Sequence, residues 1–124
     1  MKHENARLSA ARDALVGYAL SLPGAWEDHP WGEFVVKVGK KMFVIANFDA
    51  EAQRFSLTVK LAESNPAALG LPFTAPTGYN LGKSGWVTSV FDGAAEPPVG
   101  ILRDWIAESY DLIAPRKLRD GRRA

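Results

Sequence analysis

From Phe55 to Lys60 the chain alternates: Phe55, Leu57 and Val59 are apolar, and Ser56, Thr58 and Lys60 between them are polar. Successive side chains of an extended strand point to opposite faces, so this period of two puts one face on a core and the other in water. A helix groups residues three and four apart and cannot sort this segment. The run Arg54 to Leu61 therefore reads as a half-buried strand, and the rest of the chain must supply strands beside it and a layer over its apolar face.

The nearest partners precede it. Glu33 to Val38, the turn Gly39-Lys40, and Lys41 to Asn47 read as two further strands, bounded by Asp49-Ala50-Glu51, which makes a three-stranded antiparallel meander. A second strand region lies in Pro76 to Phe91. Here Gly78, Gly82 and Gly85 sit with Lys83 and Ser84 ahead of the β-branched run Trp86 to Phe91. The pattern predicts a hairpin whose first half includes Tyr79 to Leu81 and whose second half is Trp86 to Phe91, ended by Asp92-Gly93.

The covering layer comes from helices. Leu8, Ala11, Leu15, Tyr18, Ala19 and Leu22 keep a three-four spacing through Ala6 to Ser21, and Pro23-Gly24 stops it. Asn65-Pro66 starts a short helix, with Asn65 read as its cap, and Gly70 closes it. Pro97-Pro98 opens the last one, where Val99, Leu102, Ile106, Tyr110 and Ile113 form a stripe that Ile101, Trp105 and Leu112 widen. Ala25 to Gly32, with Pro, Gly and acidic residues around Trp26 and Trp31, reads as a loop. The expected fold is one α+β domain spanning residues 1–124 in the order α-β(3)-α-β(2)-α. Its five-stranded antiparallel sheet has helices on one face, and a basic tail covers 116–124.

Composition narrows the chemistry. The 124 residues are 47% hydrophobic and include no cysteine, which excludes a disulfide framework, a thiolate metal site and thiol catalysis. With His3 and His29 as the sole imidazoles, no transition-metal site is expected, and no cofactor. The polar segment Met1 to Arg7 lacks the apolar centre of a signal peptide, and no run approaches the ~18 apolar residues that span a bilayer. The expected compartment is the cytoplasm. Net charge is +1, so any surface for a polyanion must be local.

Each motif has a chemistry to answer for. A phosphate-binding P-loop needs four residues between its glycines and a helix after the lysine; Gly78 and Gly82 have three between them, and a strand follows. In Gly82-Lys83-Ser84-Gly85-Trp86 a tryptophan stands where a nucleophile elbow needs glycine. Glu27 and Asp28 are adjacent loop carboxylates, ordinary for a solvated surface. Lys37, Lys40 and Lys41 gather at one hairpin tip and Lys83 at another turn, as solubilising edge residues or as two basic wings for a phosphate backbone. The segment after Pro115 adds Arg116, Lys117, Arg119, Arg122 and Arg123 against Asp120.

The order of elements, Lys41-Met42-Phe43 in the second strand, the turn Tyr79-Asn80-Leu81-Gly82-Lys83-Ser84-Gly85-Trp86-Val87-Thr88 and Glu108-Ser109-Tyr110 in the last helix together resemble the MmcQ/YjbR-like family. The resemblance covers about Leu8 to Leu118 and is most specific at Tyr79, Lys83, Trp86, Ser109 and Tyr110. It implies a two-layer "double wing" domain similar in shape to type III secretion chaperones, and members carry the label of DNA-binding protein. Many members have His, Met and Asn after the tyrosine and His before the tryptophan, where this chain has Asn80, Leu81, Gly82 and Gly85. Those departures remove imidazoles that an enzyme would use and keep Lys83 and Trp86.

The sequence thus predicts a non-enzymatic binding module with no catalytic residues. Its expected ligand is DNA, bound without sequence preference through Lys37, Lys40, Lys41, Lys83, Arg116, Lys117 and Arg119. The alternative is a small-molecule or peptide module with an aromatic cleft of Trp26, Trp31, Tyr79 and Trp86.

Overall fold

The computed structural model describes residues 6–93 and 96–123. His3, Ala124 and the side chain of Arg123 lie outside the described residues. Helix α1 (Ala6–Ser21) is followed by strands β1 (Ala25–Asp28), β2 (Val35–Val38), β3 (Lys41–Asp49) and β4 (Arg54–Lys60), then α2 (Asn65–Leu69), β5 (Thr74–Pro76), β6 (Trp86–Phe91), α3 (Val99–Ile113) and α4 (Arg116–Arg123). The strands form one antiparallel sheet in the order β1-β2-β3-β4-β6-β5.

The alternation in β4 sets the layer. Phe55, Leu57 and Val59 are buried, and the register places them opposite Phe48, Ala46 and Val44 of β3 and Phe91, Ser89 and Val87 of β6. Leu8, Leu15 and Ala19 of α1 with Leu102, Trp105, Ile106 and Tyr110 of α3 complete the same core. The other face is polar at its centre, where the hydroxyls of Thr77, Thr88 and Thr58 join at 2.9 Å each across the sheet.

Six strands replace the expected five, for two local reasons. Ala25–Asp28 is an edge strand rather than a loop: its four residues pair with β2, and its acidic outer positions need no core. The first half of the last hairpin is Thr74–Pro76 rather than Tyr79 to Leu81. Tyr79 and Asn80 have φ of 58° and 66°, which extended backbone cannot use, whereas a proline fits the end of an edge strand. Within α2, Asn65 does not cap the helix; its side-chain amide donates to the carbonyl of Gly85 at 3.2 Å. Ile101 and Leu112 are exposed, so the buried stripe of α3 is narrower than the sequence suggests.

The last correction concerns the tail. Residues 116–123 form α4, docked through Leu118, which packs against the core and lies over Gly24. At φ +74°, a Cβ on Gly24 would come within 2.9 Å of Leu118. Arg122 grips both carboxylate oxygens of Asp111, and Arg119 donates to the Asp111 carbonyl at 3.2 Å. Hydrogen bonding to Asp111 raises the Arg122 pKa.

Candidate functional site

Three consecutive residues of α3 fix one end of the sheet. Glu108 accepts from the backbone N–H of Ala62 at 2.8 Å and of Ser64 at 3.2 Å, and from the Ser64 hydroxyl at 2.6 Å. Burial pushes this carboxyl up, yet the hydrogen bonds from Ser64 and the backbone outweigh it and hold Glu108 below the usual carboxylate range. Tyr110 is buried edge-on against Phe43 and donates its hydroxyl to the Pro23 carbonyl at 2.6 Å; burial raises its phenol pKa.

Ser109, between them, is fully buried and works on the sheet itself. The ladder between β3 and β4 reaches Val44 opposite Val59, so Phe43 and Lys60 would pair next. Instead the Ser109 hydroxyl donates to the Phe43 carbonyl at 2.6 Å and accepts from the Lys60 N–H at 3.0 Å. A bulge between β2 and β3 falls at the same place, where Val36 faces Val44 and Lys37 faces Met42. Beyond it lies a groove of about 340 Å³ lined by Lys41, Met42, Lys60, Leu81, Trp86, Leu112 and Ile113.

The turn Pro76 to Trp86 forms a second side. Its backbone is bonded within itself, Leu81 N–H to the Gly78 carbonyl, Gly82 to Thr77, Lys83 to Asn80 and Gly85 to Gly82. These groups are therefore not turned toward a phosphate, and the segment feeds β6 as its spacing implies. Gly85, at φ +97°, admits no side chain, because a Cβ would stand 2.5 Å from the Leu61 carbonyl oxygen.

Charges sort along the strand direction. At the end where β3 and β6 begin and β4 finishes lie Lys40, Lys41, Lys60 and Lys83, and α4 starts there with Arg116 and Lys117. All but Lys60 are exposed. Glu33, Asp49, Glu51 and Glu96 lie toward the opposite end, where β2 and β4 begin and β3 and β6 finish, with Arg54 as a cation among them. The sorting is partial, because Glu63, Glu108 on Ala62 and Ser64 just past β4, and Asp111 in the grip of Arg122 share the lysine end. The cations still outnumber them there, which a net charge near zero conceals.

Lys41 and Trp86 of the expected residues line the groove, with Lys40 and Lys83 on adjoining turns. Lys37 is not free: it pairs with Asp28 at 2.7 Å and lies over the Trp26 ring. Its hydrogen bond, with that of the His29 N–H, holds the Asp28 carboxyl below its usual range. Arg119 is held by α3. Lys60 was missed; its strand was recognised, but the meeting of its end with the start of β3 is a long-range fact.

The four aromatics do not make one cleft. Trp26 lies on edge strand β1 and donates its indole N–H to the Gly39 carbonyl at 2.9 Å, while Trp86 is on β6 with β2, β3 and β4 between them. Trp31 is 96% exposed beyond the end of β1, Tyr79 is 100% exposed on its turn, and Trp86 is 7% exposed. Among the described residues, no group of three or more His, Asp and Glu side chains could hold a metal ion, and no helix is long and apolar enough to cross a membrane.

This arrangement defines a two-layer α+β domain with a cation-rimmed groove at one end of its sheet. Residues 20–112 match the YjbR family, and the chain belongs to it. The fold is similar to the crystal structure of Deinococcus radiodurans protein DR2400, described as a DUF419 domain. The TM-score is 0.67 at 25% identity, over 90% of this chain and 83% of that one. No curated protein matches the chain.

Proposed function

We propose that this chain is a non-enzymatic DNA-binding module that contacts backbone phosphates through the cationic end of its sheet. The observation that carries the reading is the placement of Lys40, Lys41, Lys60, Lys83, Arg116 and Lys117 at one end, away from Glu33, Asp49, Glu51 and Glu96. A polyanion approaching that end meets a local positive potential that the net charge of +1 does not express. The cations stand on turns, a strand end and the first turn of α4. They suit phosphate contact: with Arg119 and Arg122 turned onto Asp111, the basic helix α4 presents Arg116 and Lys117 to phosphates rather than a recognition face to the major groove.

Titration of mixed-sequence duplex DNA at several salt concentrations tests this. If three to five cations meet phosphates, log K falls with log salt at a slope of roughly −3 to −5, with affinity in the micromolar range or weaker at physiological salt. Absence of binding at low salt, where the electrostatic term is strongest, overturns the reading.

A further inference from the structure

The groove offers more than charge. Lys41 and Lys60 line it together with Met42, Leu81, Trp86 and Leu112, so two ammonium-bearing side chains share a recess with a largely apolar lining. A duplex presents phosphates and sugars at its surface and keeps its base faces stacked inside, and a B-form rod is too wide for a recess of about 340 Å³. A single strand has both parts. Its phosphates can meet the lysines while one unstacked base leaves water for the apolar lining.

We propose that the groove receives one unpaired nucleotide, so that the protein prefers single-stranded to duplex DNA; this rests on the DNA-binding reading above. Phosphate contact falls to Lys41 and Lys60. The base packs against Met42, Leu81 and Leu112 and the edge of the groove left by Trp86, whose 7% exposure rules out a full indole stack. Preference among bases is slight, because every base has an apolar face and the lining has no side-chain amide or carboxylate to read an edge. Ser109, buried behind the lining, holds the backbone of one lining residue, Lys60, by accepting its N–H while donating to the Phe43 carbonyl.

Fluorescence anisotropy with three labelled strands of equal length at one low salt concentration tests this with the unaltered protein. The strands are oligo-dT, the same phosphate chain with abasic sites throughout, and a mixed duplex. The expected result is that oligo-dT binds about tenfold more tightly than the abasic strand, the loss of one base contact, and more tightly than the duplex. Equal binding of oligo-dT and the abasic strand overturns the groove proposal and leaves phosphate binding standing. Binding to none of the three overturns both. Leu112→Ala, an exposed position, provides the matching change on the protein side: it lowers affinity for oligo-dT and leaves that for the abasic strand unchanged.

Discussion

The hydroxyl of Ser109 donates to the carbonyl of Phe43 at 2.6 Å, at the point where the β3–β4 ladder stops. With the Lys60 N–H arriving at 3.0 Å, one side chain occupies the place of a backbone bond. Ser109→Ala leaves a buried carbonyl and a part-buried N–H without this partner. The expected loss is about 1–3 kcal/mol of unfolding free energy in urea. A loss within the ~0.5 kcal/mol of ordinary surface changes contradicts the role.

Leu102 and Ile106 are fully buried on α3. Replacing either with alanine leaves a cavity and costs about 2–5 kcal/mol. Ile101→Ala, at a position 46% exposed on the same helix, is the control and stays far below that range.

Gly85 and Gly78 belong to one turn but differ in what they permit. Gly85→Ala puts a Cβ against the Leu61 carbonyl at positive φ, which costs at least about 1–3 kcal/mol in thermal or urea unfolding. Gly78→Ala meets nothing within 4 Å and stays within about 0.5 kcal/mol. Equal effects at the two positions would disprove the close approach.

Glu108 gives the stability a sign in acid. Its folded pKa lies below the ordinary 4.5, so the unfolded chain takes up the proton first as pH falls. The contribution is complete well above pH 4.5 and disappears as pH drops through the folded value. Glu108→Gln removes this part of the acid loss, so the variant's stability changes less with pH below about 5 than that of the unaltered protein. Parallel pH profiles for the two proteins would show that the carboxylate bonds to Ala62 and Ser64 add nothing.

Deleting residues 116–124 lowers the melting temperature, because α4 covers Gly24 and ties Arg122 to Asp111. A free tail would leave the melting temperature where it was.

The main elements were legible because their patterns are local. Leu8 and Leu15 in α1 and Leu102 and Ile106 in α3 keep helical spacing, Phe55 to Lys60 alternates, and the ends of α1 and β6 fall where Pro23 and Asp92 imply. What escaped depends on distant partners. Trp26-Glu27 is a strand because β2 lies beside it, and α4 looked like a charged tail because its anchors, Leu118 and Arg122, are hidden among basic residues. Of the candidate site, Lys41 and Trp86 were legible, but the groove that joins them to Lys60 was not, for the same reason. Lys41 and Lys60 are far apart in sequence and come together when β3 and β4 pair.

Two substitutions that change net charge identically decide whether the cationic end binds DNA. Lys41→Glu alters that end, and Arg54→Glu alters the opposite one. Measured against mixed duplex DNA at about 0.1 M salt, Lys41→Glu weakens binding roughly tenfold, the loss of about one phosphate contact, and makes the salt slope shallower by about one. Arg54→Glu leaves affinity within about twofold and the slope unchanged. Equal weakening by the two variants would show that only overall charge matters and would contradict a binding surface at this end of the sheet.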